Sequence, residues 1–404
     1  MRIAFLNGQV QIKEFLEAAR RHYAAVPVEE PVEETMGTAA KRYHNPVAIR
    51  YGASALDELP DVLGDRRAVL VTFPEAAGLG LTDRIRGLLG PRLVGVEDDI
   101  EPNPDVAGLG PMYRRFWQDH GDCEAVVAVG GGSAIDTAKA LMVGTASGTF
   151  DELVALLARG GSFAPHRVKA LVAVPTTAGT GSEVTPWATV WDRVAGKKYS
   201  LHLRETWPEA AIIDPDLMLT LPDAVTLQSG LDALSHALEA IWNVNANPLS
   251  DTFAVAAARD VMAALPALLA HPRDRELRAR MALAALRAGM AFSNTRTALA
   301  HSISYEMTLR FGLPHGIACS FTLPMVMQRA LGVDPARDAV LAAVFDGDLD
   351  GAPARLGAFI RSLGVGTEFA DYRVDPADAH RMVEEAMDGV RGRNFIGAGA
   401  PRKP

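Results

Sequence analysis

In the segment SGLDALSHALEAI, Asp232 and His236 stand four residues apart. On a helix that spacing puts a carboxylate and an imidazole on one face, within reach of a common ion. Further on, ALAHSISYEMTLRFGLPHG supplies His301 on a second helix and His315 directly after Pro314, where that helix has ended. One carboxylate and three imidazoles suit Fe2+ or Zn2+. No cysteine is expected to compete for the ion, since Cys123 and Cys319 lie far apart with no CxxC partner. Singly, each histidine is more often a packing residue than a ligand, and only the constellation points to a metal.

Two loops could hold an anionic ligand beside that centre. Ala125–Val129 is an apolar strand run, followed at once by Gly130, Gly131, Gly132 and Ser133 and then by the helix former AIDTAKALMV. Small residues at a strand-to-helix turn let backbone N–H groups approach a pyrophosphate, and the helix N-terminus adds partial positive charge. The same glycines also suit a plain tight turn, for the pattern is neither GxGxxG nor a P-loop. Asp136 lies in the first turn of this helix, where it complements the dipole. The second loop, PTTAGTGSE, follows the strand Ala170–Val174. Its hydroxyls sit at the carboxyl end of a strand, where open α/β sheets bind ligands, though a polar Gly/Thr turn would read the same way.

These residues need a scaffold, and the pattern of the chain supplies one. From Tyr43 onward, short apolar runs (PVAIRYG, RAVLVTF, RLVGVED, EAVVAVGGGS, KALVAVP) alternate with helical stretches such as Leu81–Leu89. That alternation argues for a parallel sheet covered on both faces, the doubly wound α/β class. After about Pro222 the β-branched runs give way to long Ala/Leu/Arg-rich stretches with helical spacing. The expected organisation is an extension and linker over residues 1–43, including a short helix over Gln11–Tyr23, then an α/β domain over 44–222 and a helical domain over 223–404.

Composition bounds the function. The 404 residues carry 40 Lys plus Arg against 49 Asp plus Glu, a net charge of −9, which repels phosphate backbones and anionic lipid surfaces and disfavours a nucleic-acid or membrane partner. No uninterrupted apolar run approaches the roughly 18 residues of a membrane span, and the N-terminus lacks a secretory h-region. With two lone cysteines, a reducing cytoplasmic setting is the expectation.

The motifs GGGSAIDTAK, PTTAGTGSEVT, DALSHALEA and the H…PHG segment, in this order, resemble the iron-containing alcohol dehydrogenase family over about residues 43 to 400. The resemblance implies an N-terminal Rossmann-like dinucleotide-binding domain, a C-terminal helical metal-binding domain and an active site in the cleft between them. Carried over by motif, the metal ligands are Asp232, His236, His301 and His315, binding Fe2+ or alternatively Zn2+. NAD(P)H would meet Gly131, Gly132 and Ser133 with Asp136 nearby, Thr176, Thr177, Thr180 and Thr185 on the nicotinamide side, and Lys198 at the ribose. The family also implies a homodimer or larger homo-oligomer.

Three departures shape the expected activity. Where the family usually has a second histidine four residues after the third ligand, this chain has Tyr305, which would donate a proton, bind substrate, or simply fill space. The segment NTRTALAH places Arg296 where the family commonly has glycine. Its guanidinium would pair with an anionic group on the substrate or with a neighbouring structural acid. After RAVLVTF, Phe73 replaces the Asp that often rejects a ribose 2′-phosphate, leaving NADH and NADPH both open. RYHNP, NTRTALAHSISY and LPHGIACSFTLP further resemble the phosphonate-metabolism branch, whose phosphonoacetaldehyde reductase-like members interconvert phosphonoacetaldehyde and 2-hydroxyethylphosphonate. Reduction of maleylacetate or another small aldehyde or ketone of the propanediol type, a dehydroquinate synthase-like lyase on the same fold, and a non-catalytic dinucleotide sensor are the alternatives.

Overall fold

Strand runs that are apolar on both faces have to be covered on both faces, and the sheet is built accordingly. The computed structural model describes residues 41–160 and 163–399; the extension's expected helix over Gln11–Tyr23 and the linker after it lie outside the described residues. Ten strands follow in chain order: β1 (Ala48–Tyr51), β2 (Ala68–Thr72), β3 (Leu93–Glu97), β4 (Ala125–Gly130), β5 (Val143–Gly144), β6 (Arg167–Val168), β7 (Ala170–Pro175), β8 (Trp187–Asp192), β9 (Lys197–His202) and β10 (Ala210–Ile213). Six of them form one parallel sheet in the order β1-β10-β7-β4-β2-β3. β2 and β4 are buried along their whole length, which is why they read as continuous apolar runs.

Helices cover both faces. Leu56, Leu59, Leu63, Ile85 and Leu89 pack on one side with alternate strand residues such as Leu70 and Val127. Leu109, Tyr113, Phe116, Ile135 and Leu141 pack on the other with Val69, Val71 and Val126. From β2 the chain runs outward to β3 and then returns to β4 on the other side of β2. The loops leaving the carboxyl ends of β2 and β4 therefore diverge, and a topological switch point of this kind is where such sheets bind ligands.

The helical half begins at Asp223, directly after Pro222, with α6 (Asp223–Ile241 in the numbering α1 Leu59–Leu63, α2 Leu81–Leu89, α3 Val106–Asp119, α4 Gly132–Leu141, α5 Asp151–Arg159). It continues with α7 (Pro248–Ala270), capped by the Asn247 side chain, and α8 (Arg275–Thr295), capped by Asp274. By length and composition α7 could cross a membrane, with a mean hydropathy of 1.6 over its most apolar window. Its Ala254, Ala257, Ala258, Val261, Ala264 and Leu265 stripe is instead buried in the helical core. Next come α9 (Leu299–Phe311), ended by Gly312 in the left-handed region at φ 68, and the short α10 (His315–Ala318).

The loop between β7 and β8 ties the sheet to the helices. Gly181, at φ 61, approaches Gly289 of α8 so closely that a Cβ on it would lie 2.6 Å from the Gly289 Cα. A Cβ on Gly179 would likewise meet Ser229 of α6 at 2.7 Å. In this loop the glycines serve contact between the two halves, which a polar turn alone would not require.

Candidate active site

The four residues singled out as ligands converge. Asp232 and His236 occupy consecutive turns of α6, His301 lies near the start of α9, and His315 opens α10 after the break at Gly312. The Nε2 atoms of His301, His236 and His315 lie 3.4, 3.7 and 3.9 Å from Asp232 Oδ1. Donors about 2.1 Å from a shared ion are separated by about 3.4 Å in tetrahedral geometry. The spacing therefore fits a metal.

The protonation pattern fits too. His301 Nδ1 lies 2.6 Å from Glu239 Oε2, and as donor in that bond it leaves Nε2 with a lone pair. That Nε2 is buried and has no hydrogen-bond partner although a carboxylate oxygen is close by. A lone pair facing an anion is satisfied by a cation between them. Burial alone would raise the Asp232 carboxyl, but His236, His301 and His315 hold it well below the ordinary carboxylate range. Burial brings His236 down to about 4, and burial with the charge of Lys198 holds His315 well below its usual value, so both imidazoles present neutral donors.

Two residues at this centre escaped the reading of the motifs. Glu239, fully buried on α6, also accepts the backbone N–H groups of Ala298 at 2.9 Å and Ala300 at 2.5 Å, fixing the start of α9 as well as the His301 ring. Cys319 overturns the expectation that no cysteine lies near the ion. The turn of α10 carries it back over Asp232, and its thiol donates to Asp232 Oδ1 at 3.3 Å. Burial, reinforced by Asp232, pushes this thiol well up, so it remains protonated.

The centre opens into a cleft of about 310 Å³ that extends to the glycine loop. Gly132, Ser133, Thr180, Thr185 and Lys198 all line it, as do Arg296 and Tyr305. Gly131 is the residue before α4, and the N–H groups of Gly132 and Ser133 in the first turn of that helix have no intrahelical acceptor, whereas that of Ala134 donates to Gly131 O. Ser133 Oγ accepts the Asn103 N–H at 3.0 Å, securing the opposite lip. Phe73, just after β2, packs beside Gly130 at the switch point, where a Cβ on the glycine would meet its ring at 3.3 Å.

Three of the residues expected at the cofactor also have structural partners. Asp136 lines the cleft, but its carboxylate is already engaged by Ser182 Oγ at 2.6 Å and the Thr189 N–H at 2.8 Å. Lys139 Nζ completes the group by donating to Ser182 Oγ, Ser182 O and Trp187 O at 2.6–2.7 Å. Asp136 thus braces the second loop and the hairpin start. Thr176 and Thr177 are not among the cleft residues: the Thr176 N–H donates to Gly130 O at 2.9 Å, continuing the sheet, and Thr177 packs on Gly131.

Arg296 follows α8 in the left-handed region, at φ 69, with its carbonyl held by Asn243. Its guanidinium carbon lies 5.5 Å from the centroid of Trp187, whose other contact is a stacked His202 ring at 3.9 Å. No acid partner for it exists among the described residues. His236 stacks on Phe292 at 4.1 Å, which keeps the metal end of the cleft apolar on that side.

Comparison with known proteins agrees with this geometry. The iron-containing alcohol dehydrogenase description matches residues 46–215, and the C-terminal description of the Fe-containing alcohol dehydrogenase family matches residues 226–399. The NAD-dependent methanol dehydrogenase of Bacillus methanolicus is 31% identical over 342 residues, covering 81% of this chain and 87% of that protein. The 1,3-propanediol dehydrogenase of Klebsiella pneumoniae is 31% identical over 350 residues, covering 83% and 88%. Among solved structures, the sulfoacetaldehyde reductase from Bifidobacterium kashiwanohense in complex with NAD+ superposes with a TM-score of 0.81 at 28% identity, covering 89% of this chain and 95% of that one.

Proposed function

This chain belongs to the iron-containing alcohol dehydrogenase family, and from that premise we propose that it reduces a short aldehyde carrying an anionic head, with phosphonoacetaldehyde and 2-hydroxyethylphosphonate as the reacting pair. The observation that carries the substrate class is Arg296, a cation on the cleft wall beside Trp187 with no acid paired to it among the described residues. The sulfoacetaldehyde reductase with the same fold supports an anionic aldehyde.

Asp232, His236, His301 and His315 would hold the divalent ion, and Gly132, Ser133, Thr180, Thr185 and Lys198 would receive the nicotinamide dinucleotide. When bound, the ion supplies Lewis acidity toward a carbonyl oxygen and the nicotinamide supplies the hydride. The chain contributes orientation, dryness and a proton. Glu239 fixes the His301 ring, while Phe292 and Trp187 exclude water from two sides. Tyr305, one helical turn after His301, lines the cleft, and its phenolic Oη holds the proton that ends on the alcohol. Phe73 brings no negative charge to the end of β2, so no acid there would reject a 2′-phosphate and NADH and NADPH are both open to the chain.

The test is turnover by enzyme reconstituted with Fe2+ or Zn2+, with NADH and NADPH in parallel, on phosphonoacetaldehyde, propanal and maleylacetate. Loss of nicotinamide absorbance fastest with phosphonoacetaldehyde is the expected result. Turnover of propanal alone would keep the family and remove the anionic substrate.

A further inference from the structure

The strongest unclaimed feature of the cleft is at its metal end. Tyr305 has two cations over its ring: Lys198 Nζ is 4.4 Å from the centroid and the guanidinium carbon of Arg391 is 4.7 Å from it. Both cations line the cleft, and no hydrogen bond or ion pair among the described residues engages either side chain or the Tyr305 hydroxyl. The acid whose field reaches Arg391 is Glu239, and its two oxygens are already taken by His301 and the backbone of Ala298 and Ala300. Partial burial lowers Arg391 to about 10, and burial followed by the charge of Arg391 brings Lys198 to about 7. Two like charges held side by side, reached by the fields of Asp232 and Asp136 on Lys198 and of Glu239 on Arg391 but ion-paired to none of these acids, are an arrangement that an anion between them stabilises.

Arg391 is also firmly placed. The turn that follows it is fastened to the helical half by the Val244 N–H on Asn394 O at 2.8 Å, by Asn394 Nδ2 on Thr297 O at 2.8 Å, and by the buried Phe395 opposite Asn243. A guanidinium held in this way is preorganised for a tetrahedral oxyanion. Its position beside Tyr305, one turn past His301, puts it at the metal centre, whereas the glycine loop lies at the sheet.

Resting on the anionic-aldehyde reading above, we infer that Arg391, beside the cofactor-facing Lys198, seats the phosphonate- or sulfonate-type head of the substrate over the Tyr305 ring, and that Arg296 is an outer guide to the same group. Arg391 is then the main determinant of substrate specificity. The dinucleotide's own phosphates are the other source of such an anion, and binding measurements separate the two.

The experiment uses the metal-loaded full chain and ethylphosphonate, which has the charged head but no carbonyl. Calorimetry gives its Kd for wild type, R391A, R391K and R296A, nicotinamide fluorescence gives the Kd of NADH, and anionic and neutral aldehydes are compared by kcat/KM. R391A is expected to weaken ethylphosphonate by about tenfold or more, R391K to recover part of that loss, and NADH affinity to change less than about twofold. Should R391A bind ethylphosphonate like wild type while wild type still prefers anionic aldehydes, the seat is elsewhere and the function stands. A parallel loss of NADH affinity would assign Arg391 to the cofactor and overturn the inference. Absence of both ethylphosphonate binding and anionic preference in wild type would overturn the functional reading itself, and the inference with it. If R391A fails to fold, R391K decides, since it keeps the charge and removes the forked geometry.

Discussion

His301 Nδ1 and Glu239 Oε2 are 2.6 Å apart, both buried, on two different helices. The bond fixes which imidazole nitrogen faces Asp232 and joins α6 to α9. Replacing Glu239 by Gln keeps the size and removes the anionic acceptor. Metal affinity is expected to fall by about 10- to 100-fold. Metal content after dialysis against a graded chelator checks this, with circular dichroism to show that the helices persist. Unchanged retention would mean that the ring is oriented by packing against His236 and His315 alone.

Tyr305→Phe keeps the ring on which Lys198 and Arg391 rest and deletes only Oη. If that oxygen delivers the proton, kcat falls by about a hundredfold while KM moves little. A kcat within twofold of wild type would leave Tyr305 as a platform for the cations.

Arg296 is exposed at the cleft wall, so its charge is partly screened. Arg296→Ala should lower kcat/KM for an anionic aldehyde by about three- to tenfold, with a loss that shrinks as salt is added, and leave a neutral aldehyde of similar size nearly unaffected. Equal losses on both would make it a wall residue that shapes the cleft without reading charge.

Phe73→Asp places a carboxylate at the carboxyl end of β2, beside the divergence of the two nucleotide-facing loops. The expected result is at least about a tenfold drop in kcat/KM with NADPH relative to NADH, through repulsion of the 2′-phosphate. Parallel changes with the two cofactors would place the adenosine ribose away from this strand end.

Glu183 is buried, and burial raises its carboxyl from 4.5 to about 7, against the opposing pull of Lys139. Between these two values the unfolded chain ionises while the folded one stays protonated, so this group makes stability fall as pH rises from about 4.5 to 7. Glu183→Gln removes that slope. Urea midpoints at pH 5 and pH 7.5 should therefore differ less in the variant, the gain at the higher pH being on the order of a few kcal/mol. A variant that loses more stability than wild type at pH 7.5 would show that the ionised carboxylate is the one the fold favours.

Much of this architecture was legible in the sequence because the signals are local. β4 and β7 read as strands from apolar runs that end in glycine or proline, and α6 from Asp223 after Pro222. Asp232 and His236 were visible because a helix repeats on that spacing. Glu239 was not, although it stands only three residues after His236: an acid in an Ala/Leu helix looks like surface until a second helix crosses it. Arg391 lies in an irregular stretch whose partner, Tyr305, is far away in sequence, so no periodicity could have marked it. Thr176 and Thr177 shared the chemistry of Thr180 and Thr185, and only the path of the backbone after β7 separates those that reach the cleft from those that extend the sheet. The β8–β9 hairpin carries an alternating pattern in WATVWD, a signal that the apolar-run reading passes over.

The bare backbone contact between Gly181 and Gly289 has a mechanical meaning. With no side chains between the loop and α8 to compress or slide, the spine of the cleft is the part least able to yield. A side chain at either glycine would have to wedge the sheet away from the helices, so the width of the cleft is set at this contact.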